Sequence, residues 1–221
     1  MLTVYGAFRS RATRAIWLLN EMGVPFGHRV VWQAYRISDP RAPGAPLNTL
    51  SPEFLRLSPA GAIPVIEDDG FTLSESVAIN FYICDRFGGS LAPKDARERG
   101  KMLQWSLYGA TSVEAAALSI QQARSDGRAG TPEGQAAIDA AKDKLRRPFG
   151  VIDAELARDG WIACGRFTVA DINLAEMVRY AQGEPAFLAG FPALDGWLAR
   201  CQARPAFQDM WAKRNAEPTT P

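Results

Sequence analysis

The chain has 221 residues, 47% hydrophobic and 22% charged, with 25 basic against 24 acidic side chains. That make-up belongs to a folded globular protein of one or two domains, and so even a charge balance argues against a protein that tracks nucleic-acid phosphates. No run of about 18 apolar residues is present, so no membrane-spanning segment is expected. His28 is the only histidine, and Cys84, Cys164 and Cys201 show no C-x-x-C spacing, so neither a metal site, a His-based triad nor a disulfide framework is expected. The opening MLTVYGAFRSRATR lacks an apolar signal core, which makes the cytoplasm the expected location.

Leu2 to Tyr5 alternates like a strand, and Gly6 to Ser10 reads as a loop. Ala15, Ile16, Leu18, Leu19 and Met22 recur at helical spacing until Gly23 and Pro25 stop the pattern. His28 to Trp32 reads as a second strand. The segment 33–50 is a long loop with three prolines, and Ser51-Pro52-Glu53 opens a short helix reaching about Leu57. Ile63 to Glu67 and Phe71 to Leu73 are predicted strands joined by the Asp68-Asp69-Gly70 turn, followed by a helix over Ser76 to Phe87. The first 87 residues therefore read βαβαββα, an α/β domain. A glycine- and proline-containing linker follows over 88–97, and then strand signals stop. The all-α remainder, 98–221, contains a long helix over Lys101 to Arg124, another over Pro132 to Arg158 that Pro148 should bend or break, and a capped start at Thr168. Two further helices cover Leu194 to Arg204 and Ala206 to Lys213, and Asn215 to Pro221 reads as a frayed tail.

Two features carry chemistry. Pro64 cannot donate a ladder hydrogen bond, so it marks a sheet edge, a bulge or a cis bond. A cis Ile63-Pro64 bond would turn the Ile63 backbone N–H and C=O toward an extended peptide ligand. The plain alternative is an edge proline without a ligand. Ser74-Glu75-Ser76 stands at a helix start, where backbone N–H groups and hydroxyls suit a carboxylate and Glu75 suits an ammonium, together the head of an α-amino acid. The plain alternative is helix capping.

The run Pro59-Ala60-Gly61-Ala62-Ile63-Pro64, followed by Glu75-Ser76-Val77-Ala78-Ile79, resembles the glutathione transferase family. Phe167-Thr168-Val169-Ala170-Asp171 and the stretch FPALDGWLARCQARPAF, Phe191 to Phe207, resemble later segments of the same family in the same order. The resemblance implies a thioredoxin-like domain followed by an all-helical domain, a homodimer, and reduced glutathione as co-substrate with no permanently bound cofactor. It implies a cis Pro64, with Ile63 and Pro64 meeting the cysteinyl backbone and Glu75 and Ser76 holding the γ-glutamyl head. The implied activity is detoxifying transfer of an alkyl or aryl group to glutathione. The alternatives are a non-catalytic interaction protein of the same fold, or a peroxidase, dehalogenase or isomerase built on it.

A thiol attacks as its thiolate, and lowering a pKa near 8.5 by two units is worth roughly 2.7 kcal/mol. The family places the helper in the loop after the first strand. Ser10 is the best hydroxyl there, with Arg11, Thr13 and Tyr5 as runners-up and local helix capping as the competing role for Ser10. Arg14 is read as a structural contact. No cysteine lies in this loop, so mixed-disulfide chemistry of the cysteine-type members is not expected. Phe8, Trp105, Tyr108 and Thr111 are the candidate electrophile contacts, expected between the domains, although residues such as Trp105 and Tyr108 are more often core or dimer contacts. Ala62 stands where the family often has a lysine, and Asn48 in the long loop is within sequence reach of the glycine end of the peptide.

Overall fold

The computed structural model describes all 221 residues and divides into two compact units, Met1–Gly89 with Arg204–Pro221, and Ser90–Ala203. In the first unit β1 (Thr3–Tyr5), α1 (Ala12–Met22), β2 (Gly27–Arg29), α2 (Pro52–Leu57), β3 (Val65–Asp68), β4 (Phe71–Ser74) and α3 (Ser76–Phe87) follow in the βαβαββα order. The sheet order is β2-β1-β3-β4. β1 and β2 are parallel, with Val4 opposite His28, and α1 is the crossover that a parallel pair requires. β3 runs antiparallel to both β1 and β4. Asp68 pairs with Phe71, so Asp69 and Gly70 form a two-residue turn, with φ of 50° and 87° as the sheet's twist demands.

Two strands are shorter or shifted relative to the sequence reading. β2 ends at Arg29 rather than Trp32, because Trp32 instead forms an isolated bridge to Asn48. β3 begins at Val65 rather than Ile63, because the cis Ile63-Pro64 bond lies just ahead of the ladder. Tyr5, Val31, Phe54 and Val65 form a core under this end of the sheet, with Ile63 packed against it.

The second unit is helical: α4 (Ala96–Tyr108), α5 (Glu114–Ser125), α6 (Pro132–Asp159), α7 (Val169–Val178), α8 (Pro185–Leu188) and α9 (Pro192–Gln202). The single helix expected over 101–124 is interrupted by a wider π-type turn, Gly109–Val113. A Cβ on Gly109 would lie 2.6 Å from the Met177 sulfur and 2.8 Å from Leu174 Cδ1, so α7 presses on the chain there and leaves no room for a side chain. α6 does not break at Pro148: the buried stripe Ile138, Leu145, Phe149, Ile152 and Leu156 continues on both sides of the proline and outweighs the missing N–H. α7 starts where predicted, with Thr168 accepting from the Ala170 N–H and Asp171 accepting from the Thr168 N–H.

The end of the chain departs most from expectation. All of 98–221 is expected in the helical domain, yet α10 (Pro205–Ala216) and the residues after it group with the first unit. Phe207 meets Trp17 edge-to-face at 4.9 Å between ring centres, and Arg204 chelates Glu21 through bonds of 2.7 and 2.8 Å. No helix is long and apolar enough to cross a membrane.

Candidate functional site

The loop between β1 and α1 is built around Gly6. Its φ of +150° suits glycine, and a Cβ there would strike Ala12 Cβ at 2.9 Å. The same point lies 3.5 Å from Ile63 Cβ and 3.6 Å from Ser10 Oγ, so the candidate hydroxyl and the residue before the cis proline flank one glycine. Gly6 is clamped to β2 from both sides: its N–H donates to Arg29 C=O at 3.0 Å, and its carbonyl lies 2.7 Å from His28 Nε2. A carbonyl only accepts, so Nε2 carries the hydrogen. Phe8 packs edge-on against the same imidazole at 4.7 Å.

Ser10 Oγ donates to Ala7 C=O at 2.6 Å and accepts the Ala12 N–H at 3.1 Å, which opens α1. Thr13 is buried, with its hydroxyl donating to Ser10 C=O at 3.0 Å, whereas Arg11 is exposed. Tyr5 is part of the core and its hydroxyl donates to Glu67 at 2.8 Å. Burial, and then the adjacent Glu67 carboxylate, push the Tyr5 phenol above its ordinary value, away from what an anion-stabilising group needs.

Arg14 joins this loop to the second half of the site. It is fully buried, and its Nη1 donates to Ser76 Oγ at 3.0 Å, while Asn80 on the same helix as Ser76 donates to Arg14 C=O at 3.4 Å. Because Arg14 is the donor, the Ser76 hydroxyl hydrogen stays available to an outside acceptor. Glu75 stands at the head of α3 with φ 70° and ψ 107° and an exposed side chain. A non-glycine residue in that region costs on the order of 1–3 kcal/mol, and such strain concentrates at ligand sites. Ahead of Ile63, Ser58 Oγ braces the chain by bonding both the Ala62 N–H and the Ala62 C=O, at 3.3 and 3.0 Å.

Asn48 is buried and its amide is used within the loop, donating to the carbonyls of Pro40 and Pro46 and accepting from the Leu50 N–H. The loop 33–50 is thereby braced from inside. Trp105, Tyr108 and Thr111 belong to the second unit. Trp105 is buried against Tyr108, at 5.7 Å between ring centres, and its ring N–H has no hydrogen-bond partner. Thr111 is exposed in the π-type turn and its hydroxyl bonds back to Leu107 C=O.

One participant escapes the sequence reading altogether. Glu217, within the stretch 215–221 that reads as a frayed tail, closes α10 and sets its carboxylate on the loop: the Phe8 N–H donates to Oε1 and the Arg9 N–H to Oε2, both at 2.8 Å. A contact across more than two hundred residues leaves no periodicity or motif from which to find it.

Comparison with known proteins follows this division of the chain. Residues 8–86 match the family model for the glutathione S-transferase N-terminal domain, and residues 104–205 match that for the C-terminal domain. Elongation factor 1-gamma from Sus scrofa is 30% identical over 169 residues, which is 72% of this chain but only 36% of that protein, so the chain corresponds to about a third of that relative. Glutathione S-transferase GST-4.5 from Xanthomonas campestris is 30% identical over 168 residues, 69% of this chain and 76% of the relative. Among solved structures, glutathione transferase F7 from Populus trichocarpa superposes with a TM-score of 0.81 at 24% identity, over 97% of this chain and all of that one, a likeness of fold.

Proposed function

Because the chain belongs to the glutathione S-transferase family, we propose that it binds reduced glutathione and adds the thiolate to a small apolar electrophile. The observation that carries this reading is that Ser10 and Ile63 flank Gly6 while Arg14, on the helix that Ser10 opens, holds Ser76 at the head of α3. In this reading Ile63 pairs with the cysteinyl backbone, Glu75 takes the ammonium of the γ-glutamyl head, and Ser76 donates to its carboxylate. Ser10 turns its hydroxyl from Ala7 to the sulfur. It is favoured over Tyr5, whose hydroxyl is held by Glu67, and over Thr13, which is buried. Phe8, in the loop of the first unit, remains a proposed electrophile contact. Holding the thiolate by a directed hydrogen bond next to a bound electrophile supplies rate through both charge stabilisation and proximity.

Calorimetric titration with reduced glutathione tests the reading. Saturable binding is expected, weakened about tenfold or more in Glu75→Ala, as befits the loss of a charge-assisted contact. No heat of binding at millimolar glutathione would sink it. The second reading is a non-catalytic interaction protein, favoured by the similarity to a relative named as an elongation factor rather than a transferase. Under that reading a panel of small apolar electrophiles shows no turnover even if glutathione binds.

A further inference from the structure

The segment after α10 is exposed except at Glu217, which is half-buried. Both of its carboxylate oxygens take backbone N–H groups, from Phe8 and Arg9, at 2.8 Å each, and its own carbonyl accepts from Arg9 Nε at 3.0 Å. Arg36 extends the attachment by donating to Thr219 C=O at 3.3 Å and to Arg9 C=O at 3.2 Å, and Gln33 Nε2 adds a bond to the same Arg9 carbonyl at 3.1 Å. Beyond this point Thr220 and Pro221 form one wall of a 650 Å³ cavity whose other walls are Arg36 to Asp39 and Ala42 to Pro46. Three segments distant in sequence are thus fastened at Arg9, the residue directly before Ser10.

We propose that Glu217 is an internal latch: its carboxylate occupies the two amides beside Ser10 and opposes an anion there until the segment lifts. The inference rests on the glutathione reading for the identity of that anion. Two adjacent backbone N–H groups form a seat for one carboxylate, so a second negative charge close by meets repulsion instead of free donors. Closed, the latch also fixes Arg9 from both faces, and with it the loop in which Ser10 donates to Ala7. Lifted, it frees the two amides, which couples the position of the segment after α10 to the readiness of the thiol.

Two measurements on the full chain test this, comparing wild type with Glu217→Ala and Glu217→Gln. The first is amide hydrogen exchange without glutathione. Protection of the Phe8 and Arg9 amides should fall about tenfold or more in Glu217→Ala, with Phe207 and Met210 in α10 unchanged. The second is the ultraviolet absorbance of the glutathione thiolate against pH in the bound complex. Its midpoint should drop by about one unit in both variants, since both remove the charge, and kcat/KM below the wild-type midpoint should rise on the order of tenfold. Unchanged amide protection would overturn the latch, and a midpoint that stays or rises would reduce Glu217 to a support for the loop. If neither wild type nor variants bind glutathione, the function proposed above fails and so does the inhibitory role, while the exchange experiment still decides whether the carboxylate is seated.

Discussion

Ser10 is engaged on both sides of its oxygen, donating to Ala7 C=O and accepting from Ala12 N–H. This arrangement serves equally to start a helix and to park a hydroxyl for later use. The two roles separate on mutation. As a mere cap, Ser10→Ala lowers stability by about 1 kcal/mol and leaves turnover alone. As the sulfur's donor, its loss lowers kcat/KM on the order of a hundredfold, shifts the thiolate midpoint upward, and leaves glutathione affinity nearly intact. We expect the second outcome, read by steady-state kinetics beside a denaturation curve. Arg14 shows a similar economy: a fully buried guanidinium directed at Ser76 supports the fold and keeps that hydroxyl's hydrogen free for an outside acceptor.

At the scale of elements, the start of α7 organises the helical unit. Asp171 accepts from Thr168 at the helix start, and also from the Ile162 N–H at 3.1 Å and the Trp197 ring N–H at 2.9 Å, so one carboxylate ties α7 to α9 and to the turn before it. Burial pushes its pKa up from 3.8 to about 6, against the pull of these donors. A carboxyl whose folded pKa exceeds its unfolded value favours the fold where it is protonated, so this contribution is full below pH 3.8 and is lost as pH rises to about 6. The loss amounts to about 3 kcal/mol across that window. Urea denaturation of wild type and Asp171→Asn at intervals from pH 4 to pH 7 should give curves that converge or cross toward higher pH by that amount; parallel curves would show that burial does not hold the proton.

Over the whole molecule, the chain's two ends meet in one unit. α10 lies against α1, where Phe207 is stacked by Trp211 at 5.3 Å and meets Trp17 edge-on, while Glu21 takes both Arg204 and the Trp17 ring N–H. Phe207 is buried, so Phe207→Ala opens a cavity beside Trp17 and should cost the first unit about 3–5 kcal/mol. Thermal unfolding followed by tryptophan fluorescence measures this. A loss below about 1 kcal/mol would mean that α10 is not part of the first unit's core.

The amino-acid sequence by itself determined the order of the elements in the first 87 residues, the Asp69-Gly70 turn, α3 from Ser76 to Phe87, and the capped start of α7. Each of these is decided within a few residues, by periodicity, by a positive φ or by a side chain reaching its own backbone. It also marked out Pro64, Glu75 and Ser76, because a proline at the edge of a strand pattern and a carboxylate beside a helix start are local irregularities. Only the tertiary structure decided that β2 stops at Arg29, that α6 survives Pro148, that the long helix widens at Gly109, that Arg14 serves Ser76, and that Glu217 sits on the loop before Ser10. In each of these cases the partner that settles the conformation lies on another element, where packing and hydrogen-bond demand override the preferences of neighbours in the chain.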